Sequence, residues 1–313
     1  MSHTTKIPPA KYATSDLPTD VAVGTIVFDE TTSEHKSFNG SSWEAIEGGG
    51  IGTQTIVFDS TGPSYDQIQG DIPASWKQND SSLRGLVIGT SCTSIGSNAF
   101  YYCGGLTGDL VIPDSVTTIG DYAFNMGFSS DSWSGPLTIG NSVTSIGSYA
   151  FRYCTGLTGS LTIPDSVTTI GSYAFYYCQG FNGSLTIGNS VTTIGSYSFG
   201  FCTGLTSLTI GNSVTHIETN AFYNCSALTG DLVIPDSVTS IGSFAFAYCS
   251  SITALYTNTP AASWFETDAL NGTTALVNIY YGPNTNDGAG YSATFQGGSG
   301  MTVSAWTNYP VTP

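Results

Sequence analysis

The sequence predicts a β-rich repeat solenoid of about seven coils, 24 residues each, every coil completed by a short helical turn. Three observations predict it. A marker phenylalanine recurs at 100, 124, 151, 175, 199, 222 and 246, with intervals of 24, 27, 24, 24, 23 and 24 residues. The apolar residues around each marker keep one order from copy to copy. Only 9% of the chain is charged while 40% is hydrophobic, so Ser, Thr, Asn and Gly must coat the outside. A repeat this short cannot bury its own apolar face, and the copies must stack to share one core.

Within the copy LTIPDSVTTIGSYAFYYC at 161–178, Leu161 and Ile163 flank Thr162 in the period-two pattern of a half-buried strand. Pro164-Asp165 follows, replaced in other copies by Gly-Asn; both favour a tight change of direction. Val167 and Ile170 mark a second short extended piece. Gly171 lets the chain turn before Ala174, Phe175 and Cys178, whose spacing suits a short helical turn. Leu161, Ile163, Val167, Ile170, Ala174, Phe175 and Cys178 are therefore expected to point inward.

The same string returns as LVIPDSVTTIGDYAF from Leu110, LTIGNSVTSIGSYAFRYC from Leu137, LTIGNSVTTIGSYSFGFC from Leu185 and LVIPDSVTSIGSFAFAYC from Leu232. A copy from Leu208 and a degenerate one from Leu86 complete the set. These residues resemble the BspA-like leucine-rich repeat family and its recurring I-P-x-x-V-T-x-I-G-x-x-A-F-x-x-C signature. The resemblance covers about residues 83–256. It implies a stacked, curved leucine-rich repeat solenoid used for adhesion and partner binding at surfaces, and it implies no catalytic residue.

The ends depart from the repeat. In residues 1–50, GTIVFD and KSFNGSSWEAI read as short strands meeting at turns, followed by a glycine hinge at 48–50. The stretch 24–46 resembles a segment common in bacteriophage tail fibres and other virion appendages, which implies an attachment role; a β-hairpin without that role is the alternative. Residues 51–82 are assigned to an N-terminal cap, because the first coil of a solenoid needs covering. Residues 257–313 are either a C-terminal cap or a distal binding tip that uses Trp264, Phe265, Trp306 and Tyr309.

Composition narrows the function. The net charge is −16, and the only cations are Lys6, Lys11, Lys36, Lys77, Arg84 and Arg152. Nucleic acid and anionic membrane surfaces both demand clustered Lys and Arg, so neither is an expected partner. No run of 18 apolar residues exists to span a bilayer. The first twenty residues lack the apolar core of a signal peptide, which favours a protein assembled inside a cell.

No constellation of residues suggests catalysis, a metal or a cofactor. Six of the seven cysteines occupy one repeat position, three residues after the marker, and Cys92 stands where other copies have Val116 or Val143. A residue that alternates with valine acts as a small hydrophobe, so a ladder of buried free thiols is expected. His216 fills a Thr/Ser position and Glu218 beside it completes no zinc motif. Asp114, Asp165 and Asp236 exchange with Asn141, Asn189 and Asn212, which a general acid would not tolerate and a turn would.

What remains is binding. The residue after the marker varies through Tyr101, Asn125, Arg152, Tyr176, Gly200, Tyr223 and Ala247, as an exposed position does. Tyr101, Arg152, Tyr176 and Tyr223 are candidate receptor contacts, and so are Trp264 and Trp306 if the C-terminal segment is a tip. Aromatic rings give rigid contact area at little entropic cost; the alternative is that they only shield the core. The 27-residue interval inserts NMGFSSDSWSGP, whose Phe128 and Trp133 are candidates for a contact loop or fillers of the gap left by a missing cysteine.

The expected function is a non-enzymatic, homotrimeric virion appendage. Its N-terminal segment would meet other virion proteins and its solenoid a host surface glycan or protein. The alternative is a bacterial or protist cell-surface adhesin. Ice binding by the column Thr138, Thr162, Thr186 and Thr209 is a remote third reading.

Overall fold

The computed structural model describes residues 85–90, 92–127, 133–257, 268–276 and 278–281, residues 72 and 74, and short strands at 11–12, 26–29, 34–38, 43–45, 55–57, 65–68 and 302–305. Each repeat is one coil with two parallel strands. The second strands, Ser94–Ile95, Thr118–Ile119, Ser145–Ile146, Thr169–Ile170, Thr193–Ile194, His216–Ile217 and Ser240–Ile241, form one seven-stranded parallel sheet in chain order. The first strands pair in shorter parallel ladders on the other side, with Leu137 on Leu110, Leu161 on Leu185 and Leu185 on Leu208. Like therefore sits beside like, one coil apart.

The core follows from that register. Leu161, Ile163, Val167, Ile170, Ala174, Phe175 and Cys178 are all buried. So is a further column, Leu106, Leu157, Phe181, Leu205, Leu228 and Ile252, three residues after the cysteine position. The marker phenylalanines stack face to face from Phe100 to Phe246, with ring centroids 5.0–5.4 Å apart. That distance is close to the 4.7–4.9 Å between paired strands, so the strand ladder sets the stack.

Polar residues repeat for equally specific reasons. Thr168 Oγ1 donates to the carbonyl of Thr144, and Thr144 Oγ1 donates to that of Thr117. The amide of Asn189 donates to Asp165 Oδ1 at 2.6 Å, and that of Asn212 donates to Asn189 Oδ1 at 3.1 Å. The turn needs only an acceptor oxygen reaching forward, which Asp and Asn both provide. Gly171 is required by close approach, since a Cβ there would lie 2.5 Å from the backbone nitrogen of Ser148.

The segment around each marker is not helical, contrary to its spacing. Ala174 donates to Gly171, Tyr176 to Tyr173 and Cys178 to Phe175, a run of overlapping four-residue turns. The amides between them leave the coil: Tyr173 donates to Ser196, Phe175 to Ser198 and Tyr177 to Gly200, all in the next coil. Positive φ at Tyr173 (58°) and Tyr177 (64°) makes the difference. A helix cannot continue through either residue, and each stands at the third position of a turn, where type II geometry calls for φ > 0.

The coil geometry runs beyond residue 256. Asp268 (φ 63°) and Gly272 (φ 73°) repeat the two left-handed positions around Leu270, which takes the marker's place 24 residues after Phe246. Phe246 donates to Ala269 and Tyr248 to Asn271, as in every earlier coil. The strands Asn278–Tyr281 and Thr302–Ala305 extend the ladder in parallel, Leu255 pairing with Ile279 and Ile279 with Val303. Toward the N-terminus, strand Tyr65–Ile68 pairs in parallel with Gly85–Ile88 and antiparallel with Thr55–Val57. The strands Ile26–Asp29, Glu34–Phe38 and Trp43–Ala45 form an antiparallel meander with Lys11–Tyr12 alongside the first.

Candidate binding surface

The left-handed residues on either side of each marker carry most of the aromatic side chains outside the core. Tyr122, Tyr149, Tyr173 and Tyr197 stack in a row with centroids 4.5, 4.8 and 4.7 Å apart and planes within 10°. All four are half-buried. Two residues after the marker, Tyr177 and Phe201 stack at 4.8 Å, while Tyr102 and Tyr248 are each 44% exposed. A bulky residue at positive φ costs on the order of 1 kcal/mol, and an aromatic pair returns about that much beyond its burial. Strain and stacking thus roughly cancel, and the ridge is held without net loss.

Between these rows lie the residues that follow the marker. Tyr176 meets Tyr173 and Tyr197 edge-on at 5.2 and 5.8 Å, and Tyr101 meets Tyr122 at 6.1 Å. Tyr223 meets Phe201 at 5.3 Å and Tyr248 at 5.2 Å. Tyr101, Arg152, Tyr176 and Tyr223 are all half-buried members of this ridge. Burial pushes the Tyr176 phenol up to about 12, with Tyr153 and Tyr177 beside it adding to the rise. Burial likewise raises Tyr173, helped by Tyr197 and Tyr149. Arg152 is the one Lys or Arg of the ridge.

That guanidinium lies over three rings, 4.5 Å from Tyr153, 5.4 Å from Tyr149 and 5.7 Å from Tyr176. Its Nη2 donates to the Tyr153 hydroxyl at 3.2 Å. Its Nε is buried without a hydrogen-bond partner.

The remaining candidates fare differently. Trp133 is only 2% exposed; its ring lies edge-on to Phe124 at 6.3 Å and its amide donates to Leu106. It fills the core beside the coil that lacks a cysteine, as the second reading of that insertion had it, and offers no face to a partner. Phe128, Trp264 and Trp306 lie outside the described residues. His216 is exposed, and its Nδ1 lies 2.8 Å from Thr215 Oγ1, a hydroxyl that donates to the Thr192 carbonyl.

All seven cysteines are free and buried. Burial pushes the Cys202 thiol up to about 12 and raises Cys178 and Cys225 well above the ordinary thiol value, against any nucleophilic role. Among the described residues no three His, Cys, Asp or Glu side chains are placed to hold a metal. No helix among them is long and apolar enough to cross a membrane.

On the first-strand side a groove of about 360 Å³ runs along Thr162, Thr186 and Thr209, bounded by Asp165, Asn189 and Asn212. The outward threonines are thus one wall of a trough. Sequence reading missed it because a groove depends on how strand and turn are set against each other.

The family described as BspA type Leucine rich repeat region matches six copies, over residues 71–179, 128–253 and 181–292. No curated protein matches the chain. Among solved structures, a leucine-rich repeat protein from Bacteroides ovatus is 20% identical, with a TM-score of 0.53 over 83% of this chain and 70% of that one. The pneumococcal vaccine antigen PcpA is 16% identical, with a TM-score of 0.45 over 77% of this chain and 63% of that one. The Treponema pallidum leucine-rich repeat protein TpLRR is 22% identical, with a TM-score of 0.44 over 53% of this chain and 82% of that one. The first of these agrees with the solenoid fold. The match to the family begins at residue 71, and nothing among the comparisons supports the likeness of 24–46 to virion appendages.

Proposed function

Because the chain belongs to the BspA type leucine-rich repeat family, we propose that it is a cell-surface binding protein whose solenoid displays a rigid aromatic ridge to a host molecule. The family resemblance favours adhesion at surfaces, and this reading replaces the virion appendage that the N-terminal segment suggested.

The observation that carries it is the row Tyr122, Tyr149, Tyr173 and Tyr197, half-buried and stacked, with Tyr176 and Tyr223 set into its flank. A core needs no such row outside it, and the rings stand at backbone angles that bulky residues ordinarily avoid. Pre-stacked rings lose little entropy on contact and suit a flat partner. Binding is the function assigned to the ridge.

The test is binding of labelled purified protein to epithelial cells and to immobilised matrix proteins. Saturable binding that falls at least tenfold in a Tyr176→Ser, Tyr223→Ser double variant, with unchanged circular dichroism, supports the proposal. Binding no greater than that of an unrelated acidic protein sinks it.

A further inference from the structure

We infer that Arg152 and the tyrosine faces beside it form a subsite for an acidic saccharide, the sugar carboxylate taking the guanidinium and the sugar ring lying against Tyr176. This rests on the surface-binding reading and names the ligand class of the same ridge.

Arg152 is the only cation after residue 84 in a chain of net charge −16. With carboxylates so abundant, an arginine kept for stability alone would be expected to pair with one. It pairs with none among the described residues: its contacts are the three rings and the Tyr153 hydroxyl. The neighbouring phenols supply no counter-charge, because burial raises those of Tyr176 and Tyr173. The side chain is half-buried, with Nε inside, and its one side-chain hydrogen bond among the described residues is made by Nη2. A fixed, desolvated guanidinium with a free edge is the donor that carboxylates take best.

The surroundings choose among anions. One cation balances one carboxylate, and the acidic remainder of the chain repels anything carrying several. An acidic peptide is therefore disfavoured, as is a polyuronate, whereas a glycan ending in a single acidic sugar is not. The C–H faces of a pyranose fit ring faces, and three rings stand beside the guanidinium.

The experiment is titration of the full chain, followed by protein NMR or calorimetry, with glucuronate-containing and sialylated oligosaccharides and with their neutral counterparts. Wild type should bind an acidic oligosaccharide at least tenfold more tightly than its neutral counterpart, with affinity falling as NaCl rises. Arg152→Gln should abolish that preference, and Arg152→Lys, which keeps charge but not the planar fork, should retain part of it. Because Arg152→Gln also removes ring contacts, Tyr176→Ser is read beside it; it should weaken acidic and neutral sugars together.

Equal binding of acidic and neutral sugars by wild type, or unchanged binding by Arg152→Gln, overturns the inference. Tighter binding of a poly-glutamate peptide at the same residues overturns the choice of saccharide. Cell binding that survives Arg152→Gln intact sinks the subsite while leaving the surface-binding reading in place.

Discussion

The thiol of Cys178 donates to the carbonyl oxygen of Phe151, one coil earlier, at 3.0 Å. The same bond joins Cys154 to Phe124, Cys202 to Phe175, Cys225 to Phe199 and Cys249 to Phe222. The cysteine is both a core hydrophobe and a second donor to a carbonyl that already accepts the Cys154 amide of its own turn. Cys178→Ala should therefore cost about 1–2 kcal/mol, from the small cavity and the lost second hydrogen bond together. Urea unfolding measures it, and an unchanged midpoint would show that the bond is incidental.

Trp133→Ala should be far worse. The ring is buried beside Phe124, and removing it leaves a cavity worth about 3–5 kcal/mol. Melting should drop by many degrees in the Trp133 variant, while Tyr101→Ser on the half-exposed ridge should move it little. Similar drops for both would mean that the ridge, too, is core.

Much of this architecture is legible in the sequence, because a column of identical residues has one explanation in a stacked coil. The inward set, the buried thiols and the two strands per coil all follow from the period. The marker segment misleads because two consecutive turns place Ala174, Phe175 and Cys178 on one side much as a helix would. The clue is which residues replace the aromatics: Asn98, Asn220, Asn224, Asp268 and Gly272, the types that accept positive φ. Reading them as turn residues also finds the coil at Leu270, where the marker and the cysteine are gone but the turn chemistry remains. The core position of Trp133 is legible only as one of two readings, since an insertion serves equally as a loop or as a filler until its ring is placed inside.

Backbone strain at the ridge gives a two-variant test. Tyr173→Ala removes the stacks with Tyr149 and Tyr197 but keeps a Cβ at φ 58°. Tyr173→Asn loses the same rings yet tolerates the angle, so it should be less destabilising than Ala by about 0.5–1 kcal/mol. The reverse order in thermal denaturation would show that the angle is not strained.

Ser198 stands where Ala174 and Ala221 stand in the coils on either side, and its hydroxyl is wholly buried without a partner. An unmatched hydroxyl costs about 1–3 kcal/mol, so Ser198→Ala should stabilise the protein by about 1 kcal/mol and raise the melting temperature by a few degrees. Loss of stability instead would point to a bonding partner for the hydroxyl.

The thiol ladder also fixes the response to alkali. An unfolded chain ionises its cysteines near pH 8.5, whereas burial holds the Cys202 proton to about 12 and raises Cys178 and Cys225 well above the ordinary value. Below the unfolded value both states are protonated and the full stability is present. As pH rises past it, the unfolded chain sheds protons that the coils retain, and stability declines until the folded thiols themselves ionise. Each such thiol contributes a slope of about 1.4 kcal/mol per pH unit, and the raised phenols of Tyr173 and Tyr176 steepen it above pH 10. Urea midpoints should thus fall sharply between pH 8 and pH 10.5, with Cys202→Val showing a shallower decline than wild type. A flat profile over that range, or native thiols that react with a thiol reagent at pH 8 as fast as in urea, would mean that the ladder is open to water.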